Sequence, residues 1–149
     1  MEKRAPRKMV FDFPDVNSTP VYVYINAHLF DWVLENLMRN ALDAMDGEGV
    51  IKAFVSLKDD HINIDLSDTG KGIPPSKWKA VFQPGYTTKK RGWGLGLSLA
   101  QRIIESYHKG KIFVRVFQIT NLNLREIDIN SWGGNEIVCR GSLLLLGVI

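Results

Sequence analysis

The sequence has few of the features of secreted or membrane-spanning proteins. Its 149 residues include one cysteine, Cys139, so neither an intrachain disulfide framework nor a cysteine zinc site can form. The longest apolar run, 143–149, contains Gly147 and is far shorter than the roughly 20 residues that a membrane helix requires. The charges of residues 1–8 are not followed by the apolar core of a signal peptide. These absences predict a cytoplasmic domain, whether or not its parent protein is anchored in a membrane.

Acidic residues are almost absent from the middle of the chain. Residues 69–125 contain eleven basic side chains and one acidic side chain, Glu105, whereas residues 1–68 contain seven basic and twelve acidic ones. A cationic region of this kind indicates an anionic partner, such as a nucleotide, a nucleic acid or an acidic protein. Charge alone does not choose among these partners, and a solvated basic surface is the simpler alternative.

The spacing of apolar residues predicts an alternation of strands and helices. A helix over 28–45 has apolar residues at three- and four-residue steps, and a strand over 61–67 alternates apolar and polar residues. The other predicted elements are strands at 21–25, 50–57 and 111–117, a short helix that Pro74 or Pro75 opens and that runs through 77–81, a loop at 83–94 and a helix at 95–107. This order favours an α/β (α+β) two-layer sandwich, in which a mixed, mainly antiparallel sheet carries helices on one face.

Three polar residues form one stripe on the first long helix. Asn36, Asn40 and Asp43 stand at i, i+4 and i+7, which places them on one face at 3.6 residues per turn. Their amide and carboxylate oxygens are ligands that a hard cation such as Mg²⁺ prefers. Taken alone, the stripe is more simply explained as the solvated face of a helix.

A carboxylate and two glycines follow the alternating strand directly. Asp68 can accept a hydrogen bond from an exocyclic amine, and Gly70 and Gly72 let the backbone approach a flat ligand. An ordinary turn explains the same residues, and Asp-Thr-Gly is also the catalytic turn of aspartic proteases. Those proteases are almost entirely β-structured, so the two helical periodicities argue against them.

A glycine-rich segment begins the second long helix. Gly92, Gly94 and Gly96 expose backbone N–H groups near a helix start, where the helix dipole favours an anion such as phosphate. The hydroxyl groups of 87–88 and the cations of 89–91 come just before it. No Gly-Lys-Ser/Thr closes the segment, which excludes a Walker A loop, and the motifs of protein kinases are absent as well.

Together and in this order, these segments resemble the GHKL ATP-binding superfamily. Residues 35–45 (ENLMRNALDAM) resemble its N box, 68–73 (DTGKGI) its G1 box, 81–89 (VFQPGYTTK) its F box and 92–97 (GWGLGL) its G2 box. The subgroup that the sequence most resembles is the catalytic, ATP-binding domain of two-component sensor histidine kinases. The resemblance covers about residues 21–116, and it implies the Bergerat fold with ATP and Mg²⁺ as ligands.

The resemblance also implies roles for individual residues. Asn40 would hold Mg²⁺ through its amide oxygen, with Asn36 in support. Asp68 would accept a hydrogen bond from the adenine amino group, and Lys89 would face the phosphates under a mobile lid formed by 84–94. Asn36, Asn40 and Lys89 are accordingly the predicted catalytic residues. The predicted nucleotide-binding residues are Asn40, Asp43, Asp68, Gly70, Gly72, Ile73, Phe82, Thr87, Thr88, Lys89, Gly92, Gly94, Leu95, Gly96 and Leu97.

One position separates the subgroups of this superfamily. Its ATPases carry a water-activating glutamate four residues before the metal asparagine, where this chain has Asn36, and an amide cannot take a proton. The resemblance therefore implies phosphoryl transfer to a histidine on a separate dimerisation domain, with a response regulator as an indirect partner and no role for nucleic acid. His28, His61 and His108 lack an acceptor motif and are expected to be structural or exposed. A non-catalytic nucleotide-responsive module and an anti-sigma-type serine kinase are the alternatives.

The resemblance divides the chain into three parts. We expect an N-terminal extension at 1–19, the ATP-binding domain at 20–117 and an atypical tail at 118–149. The family pattern predicts a glycine-threonine turn and a last amphipathic strand, whereas the tail contains the apolar run 143–146. That run is a replacement strand, a segment with non-native packing or part of an altered terminus, and it would promote aggregation if exposed.

Overall fold

The computed structural model describes residues 8–13, 20, 22–58, 61–115, 117–120, 123–126 and 142–148. Its strands are β1 (Met9–Asp12), β2 (Gly49–Lys58), β3 (His61–Asp68), β4 (Lys111–Arg115), β5 (Phe117–Thr120), β6 (Asn123–Glu126) and β7 (Ser142–Val148). Its helices are α1 (Ala27–Met45) and α2 (Gly96–Arg102), and α2 continues into a π-helical turn at Ile103–Tyr107. Short 3-10 turns lie at Pro75–Lys77 and Ala80–Phe82. In this described part of the chain, no helix is long and apolar enough to cross a membrane.

Capping residues fix both ends of helix α1. At its start, Asn26 has an extended backbone and its Oδ1 accepts a hydrogen bond from the Leu29 N–H at 3.1 Å, which satisfies a donor that the first turn leaves unpaired. At its end, Asp46 and Gly47 have positive φ angles of 50° and 84°. This left-handed conformation terminates the helix, and glycine adopts it readily. The predicted helix over 28–45 is thereby confirmed.

Five strands form the main sheet in the order β1-β2-β3-β7-β4. β1 is parallel to β2, and the other neighbouring pairs are antiparallel, as predicted for a mixed, mainly antiparallel sheet. β5 and β6 form a separate antiparallel pair. The main sheet therefore takes its fourth strand, β7, from the far end of the described chain.

Both helices cover the same face of this sheet. The apolar residues that α1 buries recur at three- and four-residue steps: Phe30, Val33, Leu37, Ala41 and Met45. They share one core with Ala100 of α2, with Leu66 of β3 and with Val114 of β4. Leu66 and Val114 are both register partners of Leu144 in β7, so they lie on the same face. The predicted two-layer sandwich with helices on one face is confirmed.

A buried histidine joins the end of the second helix to the start of α1. His108 Nε2 accepts a hydrogen bond from the Asn26 N–H at 3.0 Å, and His108 Nδ1 lies 3.0 Å from the Ile103 carbonyl oxygen. Because Nε2 accepts, the ring is neutral with its proton on Nδ1, which donates to that carbonyl. The ring also meets Phe30 edge-on, with ring centroids 6.5 Å apart. His108 is therefore structural, as expected.

The edge of the sheet differs from the prediction. The strand predicted over 21–25 is wrong where the structure describes it, because residues 22–26 belong to no strand and Tyr22 and Tyr24 are 88% and 102% exposed. Aromatic and β-branched residues favour a strand only where neighbouring strands and side chains accept them. The edge strand is instead β1, which lies in the region expected to be an extension and pairs with β2.

The helical segments after β3 also differ in detail. The short helix predicted at 77–81 is replaced by the two 3-10 turns, the first of which begins at Pro75. The helix predicted at 95–107 starts at Gly96, and its last turn is wider than an α-helix because the His108 N–H donates to the Ile103 carbonyl, five residues back, at 3.2 Å.

The apolar run of the tail lies inside the main sheet. Its backbone belongs to β7, which pairs with β3 on one side and with β4 on the other. Of the three possibilities, the structure contains the replacement strand. A strand with two neighbours offers no free edge to another chain. Apart from β5 to β7, the tail lies outside the described residues.

We expect Leu37→Ala to lower the free energy of unfolding by about 2–5 kcal/mol, because Leu37 is 1% exposed and its truncation leaves a cavity under α1. Leu42→Ala is the matched control, since Leu42 lies on the same helix but is 38% exposed and should cost much less. Urea denaturation followed by circular dichroism measures both losses. Equal losses would contradict the assignment of the buried face of α1.

Candidate functional site

One stripe of α1 contacts three segments that are distant in sequence. This α1 stripe consists of Asn36, Asn40, Asp43 and Ala44, of which Asp43 is exposed and the other three are half-buried. The start of α2 meets this stripe at Asn36. The loop 85–94 meets it at Asn40 and Asp43, and the loop after β3 meets it at Ala44. The other three sequence motifs therefore converge on the helix face that carries the first.

The loop after β3 rests on the Ala44 end of the α1 stripe. The Lys71 N–H donates to the Ala44 carbonyl at 3.1 Å, and a Cβ on Gly70 would lie only 2.7 Å from the Ala44 Cβ. Position 70 therefore requires glycine. The nearly buried Asp68 accepts a hydrogen bond from the Gly70 N–H at 2.8 Å through Oδ1. This carboxylate is held beside the stripe, near the helical turn that follows Asn40.

Two residues that the sequence analysis did not single out hold this loop in place. The Thr69 N–H donates to the Val50 carbonyl at 3.1 Å, and Thr69 Oγ1 accepts from the Val50 N–H at 3.0 Å. Farther along, the Trp78 Nε1–H donates to the Ile73 carbonyl at 2.9 Å. The Asp-Thr-Gly turn is the signal that could have pointed to Thr69, but its partner in β2 cannot be inferred from local spacing.

Lys89 joins the glycine-rich loop to the α1 stripe. Its ammonium group donates to Asn40 Oδ1 at 3.1 Å and lies 2.5 Å from Asp43 Oδ2, with both side chains of the ion pair about half exposed. Its backbone N–H donates to Thr87 Oγ1 at 3.1 Å, which fixes the local turn. The structure thus brings together a predicted phosphate-facing cation and the oxygen atoms of two predicted nucleotide-binding residues.

Residues 85–94 form a loop whose two ends meet. The Gly85 N–H donates to the Gly94 carbonyl at 2.9 Å. Gly94 has a φ of 64°, and a Cβ there would lie 2.7 Å from the Gly85 carbonyl oxygen, so the position requires glycine. Near the Gly94 end, the Trp93 side chain is 89% exposed. The predicted lid is therefore a loop that is closed at its base, where Tyr86 packs against the hydrophobic core, and exposed to solvent over 87–93.

The start of α2 packs directly against Asn36. A Cβ on Gly96 would lie 2.9 Å from Asn36 Nδ2 and 3.0 Å from Asn36 Cγ, so the two helices approach this closely only with glycine at position 96. Within the described residues, the buried Asn36 Nδ2 has no hydrogen-bond partner. Since buried amides are normally paired, this group is a donor that a bound ligand can satisfy.

The remaining predicted site residues differ in burial. Those that pack against the hydrophobic core are Ile73, Phe82 and Leu97. Those that are exposed on or beside the loop are Thr88, Gly92 and Leu95. Gly72 has a φ of 74°, a conformation that glycine adopts readily. Three of the apolar residues therefore pack on the core side, whereas Leu95, although apolar, is 50% exposed.

The electrostatics of the site are those of an anion-binding surface. Every charged residue between 69 and 104 is basic. The described residues contain no group of three or more His, Cys, Asp or Glu side chains placed to hold a metal ion. Asn40 and Asp43 nevertheless offer two neighbouring oxygens to a cation, and the Lys89 ammonium lies on both. The arrangement suits an anionic ligand that brings a cation of its own.

Sequence comparison identifies the family of this chain. A sequence model of the family described as histidine kinase-, DNA gyrase B-, and HSP90-like ATPase matches residues 26–137. The chain belongs to this family. Membership supports nucleotide binding, and it confirms the predicted resemblance to the GHKL superfamily.

Curated relatives of this ATPase-family chain are kinases. Sporulation kinase E of Bacillus subtilis is 38% identical over 106 residues, which are 66% of this chain and 14% of the relative. Sensor histidine kinase ZraS of Salmonella typhimurium is 44% identical over 86 residues, which are 56% of this chain and 18% of the relative. The chain therefore matches less than a fifth of the length of either relative.

Solved structures of histidine kinases have the same fold. The nucleotide-free catalytic domain of histidine kinase ThkA superposes with a TM-score of 0.69 at 25% identity, covering 96% of this chain and 80% of that one. The mycobacterial sensor histidine kinase MprB superposes with a TM-score of 0.72 at 19% identity, covering 94% of this chain and 82% of that one. The second likeness shows the fold alone. Together they confirm the predicted Bergerat α/β sandwich.

We expect Gly96→Ala to destabilise the protein by about 1–3 kcal/mol, because the added Cβ overlaps the Asn36 amide. Combining it with Asn36→Ala should recover most of the loss, since the truncated side chain makes room. Gly92→Ala is the control, because a Cβ there meets Thr87 Oγ1 at an ordinary 3.4 Å. Thermal unfolding of these three variants and of the unmodified protein provides the measurement, and a Gly96→Ala protein as stable as Gly92→Ala would refute the contact.

Proposed function

We propose that this chain is the ATP-binding catalytic domain of a sensor histidine kinase, which transfers the γ-phosphoryl group of ATP to a histidine on a separate dimerisation domain. The observation that carries the proposal is the contact of the Lys89 ammonium with Asn40 and Asp43, because it joins the candidate phosphate loop to the candidate metal-binding helix. The kinase relatives support the same activity.

The purine end of the site is the loop after β3. Asp68, held by the Gly70 N–H, accepts a hydrogen bond from the adenine amino group through its carboxylate. Gly70 and Gly72 keep side chains away from the purine, and Ile73 supplies an apolar contact from the core side. A carboxylate that reads an exocyclic amine favours adenine over guanine, whose carbonyl at the corresponding ring position would repel it.

The Asn40 and Asp43 oxygens fit a magnesium ion that arrives with the nucleotide. Mg²⁺ usually binds to one or two protein oxygens and completes its shell with phosphates and water. The Lys89 ammonium on both oxygens supports this fit, since it marks a position where positive charge is stabilised. The bound ion would neutralise phosphate charge and hold the triphosphate in a reactive orientation. Asn40 is its proposed ligand, and Asp43 lies within reach of its water shell.

The phosphate end of the site is the glycine-rich loop and the start of α2. Lys89 moves from the α1 stripe to the phosphates, and the hydroxyls of Thr87 and Thr88 donate to phosphate oxygens. The N–H groups of Gly94 to Leu97, together with Gly92, line the same end. Fixed positive charge and N–H donors stabilise the phosphoryl group during transfer, which needs little other chemistry from the protein.

Asn36 directs the reaction away from hydrolysis. Its amide cannot accept a proton from water, so the site lacks a general base at this position. Its buried Nδ2 is instead a donor that supports the phosphate or a metal-bound water. ATP is therefore retained until a better nucleophile, the acceptor imidazole, is presented from another domain.

The acceptor comes from outside the described residues. Both ring nitrogens of His108 are already hydrogen-bonded inside the fold. ThkA, one of the solved relatives, has been crystallised with a response regulator. By analogy, the partners of this chain are a histidine-bearing dimerisation domain and, through it, a response regulator. The kinase relatives also support a domain that faces the cytoplasm.

We infer a wider extent for the ATP-binding domain than the predicted one, and the sheet supports it. Residues 20–117, the predicted range, include the four motifs but end before β7. Since β7 lies between β3 and β4, the functional domain includes 142–148 as well.

Asp68→Asn should weaken the binding of a fluorescent ATP analogue by about 10- to 100-fold, because an amide replaces the charged acceptor of the adenine amino group. Asp31→Asn is the matched control, since Asp31 is exposed near the opposite end of α1. Fluorescence anisotropy at fixed Mg²⁺ measures both. Equal affinities of the two variants would remove Asp68 from the purine site.

Incubation with labelled ATP and a histidine-bearing dimerisation domain should give an acid-labile, base-stable label on that domain. The label should disappear when the acceptor histidine is replaced by glutamine. An acid-stable label would indicate a serine kinase instead, and nucleotide binding without any label would indicate a non-catalytic module.

A further inference from the structure

The Lys89 side chain occupies a position that the nucleotide cation would need. Its ammonium lies on Asn40 Oδ1, the proposed metal ligand, and on Asp43 Oδ2. Two positive charges that share one oxygen repel strongly at contact distance. The ammonium and a divalent cation therefore exclude each other at the α1 stripe.

We propose that Lys89 is a latch, which closes the lid loop (residues 84–94) onto α1 in the nucleotide-free protein and is released by the nucleotide–metal complex. The inference rests on the proposed function, and it adds a role for Asp43 as the positioning residue that holds the latch. Opening exchanges one anionic partner of Lys89, the Asp43 carboxylate, for another, the phosphates. Because the ammonium stays paired throughout, the exchange is reversible.

Apart from the packing of Tyr86 against the hydrophobic core, the lid loop has few other attachments within the described residues that would hold it closed. Its base is fixed by the bond between the Gly85 N–H and the Gly94 carbonyl, which does not involve α1. At its tip, Lys90 and Arg91 are exposed, and Trp93 is 89% exposed. Lys89 lies about midway between the ends of the loop. Its contacts with α1 are therefore the ones that best restrain the position of the loop.

Cleavage by trypsin after Lys89, Lys90 and Arg91 measures how often the lid loop is released. In the nucleotide-free protein, Asp43→Asn should raise the cleavage rate by about two- to five-fold, the effect of losing one partly exposed ion pair. Glu35→Gln is the matched control, because it removes another ion pair of α1, with Arg39, that does not involve the loop. Its cleavage rate should equal that of the unmodified protein.

Two further arms separate a latch from a general weakening of the helix. The Lys89→Asp variant should be cleaved rapidly after Lys90 and Arg91, and adding Asp43→Lys should restore slow cleavage by reversing the ion pair. With a saturating non-hydrolysable ATP analogue and Mg²⁺, the difference between Asp43→Asn and the unmodified protein should vanish, because the latch is already open in both.

Equal rates of tryptic cleavage for nucleotide-free Asp43→Asn and Glu35→Gln, whether both are slow or both are raised, would refute the proposed latch. Failure of the charge reversal to slow cleavage would do the same. If the unmodified protein binds no ATP analogue, the proposed function fails, whereas the nucleotide-free comparison still decides whether Lys89 holds the loop.

Discussion

The architecture of the site depends on how closely backbone can approach one face of α1. At Ala44 and at Asn36, the partner position is a glycine, and a Cβ at either partner would lie within 3 Å of the helix side chain. Larger residues at Gly70 or Gly96 would push the adjoining loop or helix outward and separate the motifs. Gly70 and Gly96 are therefore required by the packing of the protein itself, in addition to any ligand that they accommodate.

The charge distribution makes this face selective. All charged residues from 69 to 104 are basic, whereas the α1 stripe offers neutral amides and one carboxylate. A ligand with separate negative and positive parts matches both surfaces, and a nucleotide with a bound metal ion has such parts. The amide of Asn36 in place of a carboxylate removes a base that could activate water. Under the proposed function, the same stripe would favour both retention of ATP and delivery of its phosphoryl group to a side chain.

The sequence predicts well what depends on local periodicity. The helix over 28–45 and the strand over 61–67 are predicted correctly because their apolar residues recur at the period of one element. The order of the four motifs also indicated the family. The prediction that failed, the edge strand, depends on partners distant in sequence. Residues 22–25 have strand-forming side chains but belong to no strand, whereas Met9–Asp12 pairs with β2. The hydrogen bonds of Thr69 and Lys89 to residues in other elements are equally invisible to local spacing.

The position of β7 in the sheet affects when the fold can form during synthesis of the chain. Ser142 is the register partner of Asp68, and β4 reaches β3 only through β7. Until residues 142–148 have left the ribosome, β3 and β4 each keep an unpaired edge, and the strand that leads into the purine loop lacks one of its neighbours. Pairings of such large sequence separation form slowly. Assembly of the proposed nucleotide pocket is thus a late event of folding, although every residue proposed to contact the ligand is synthesised early.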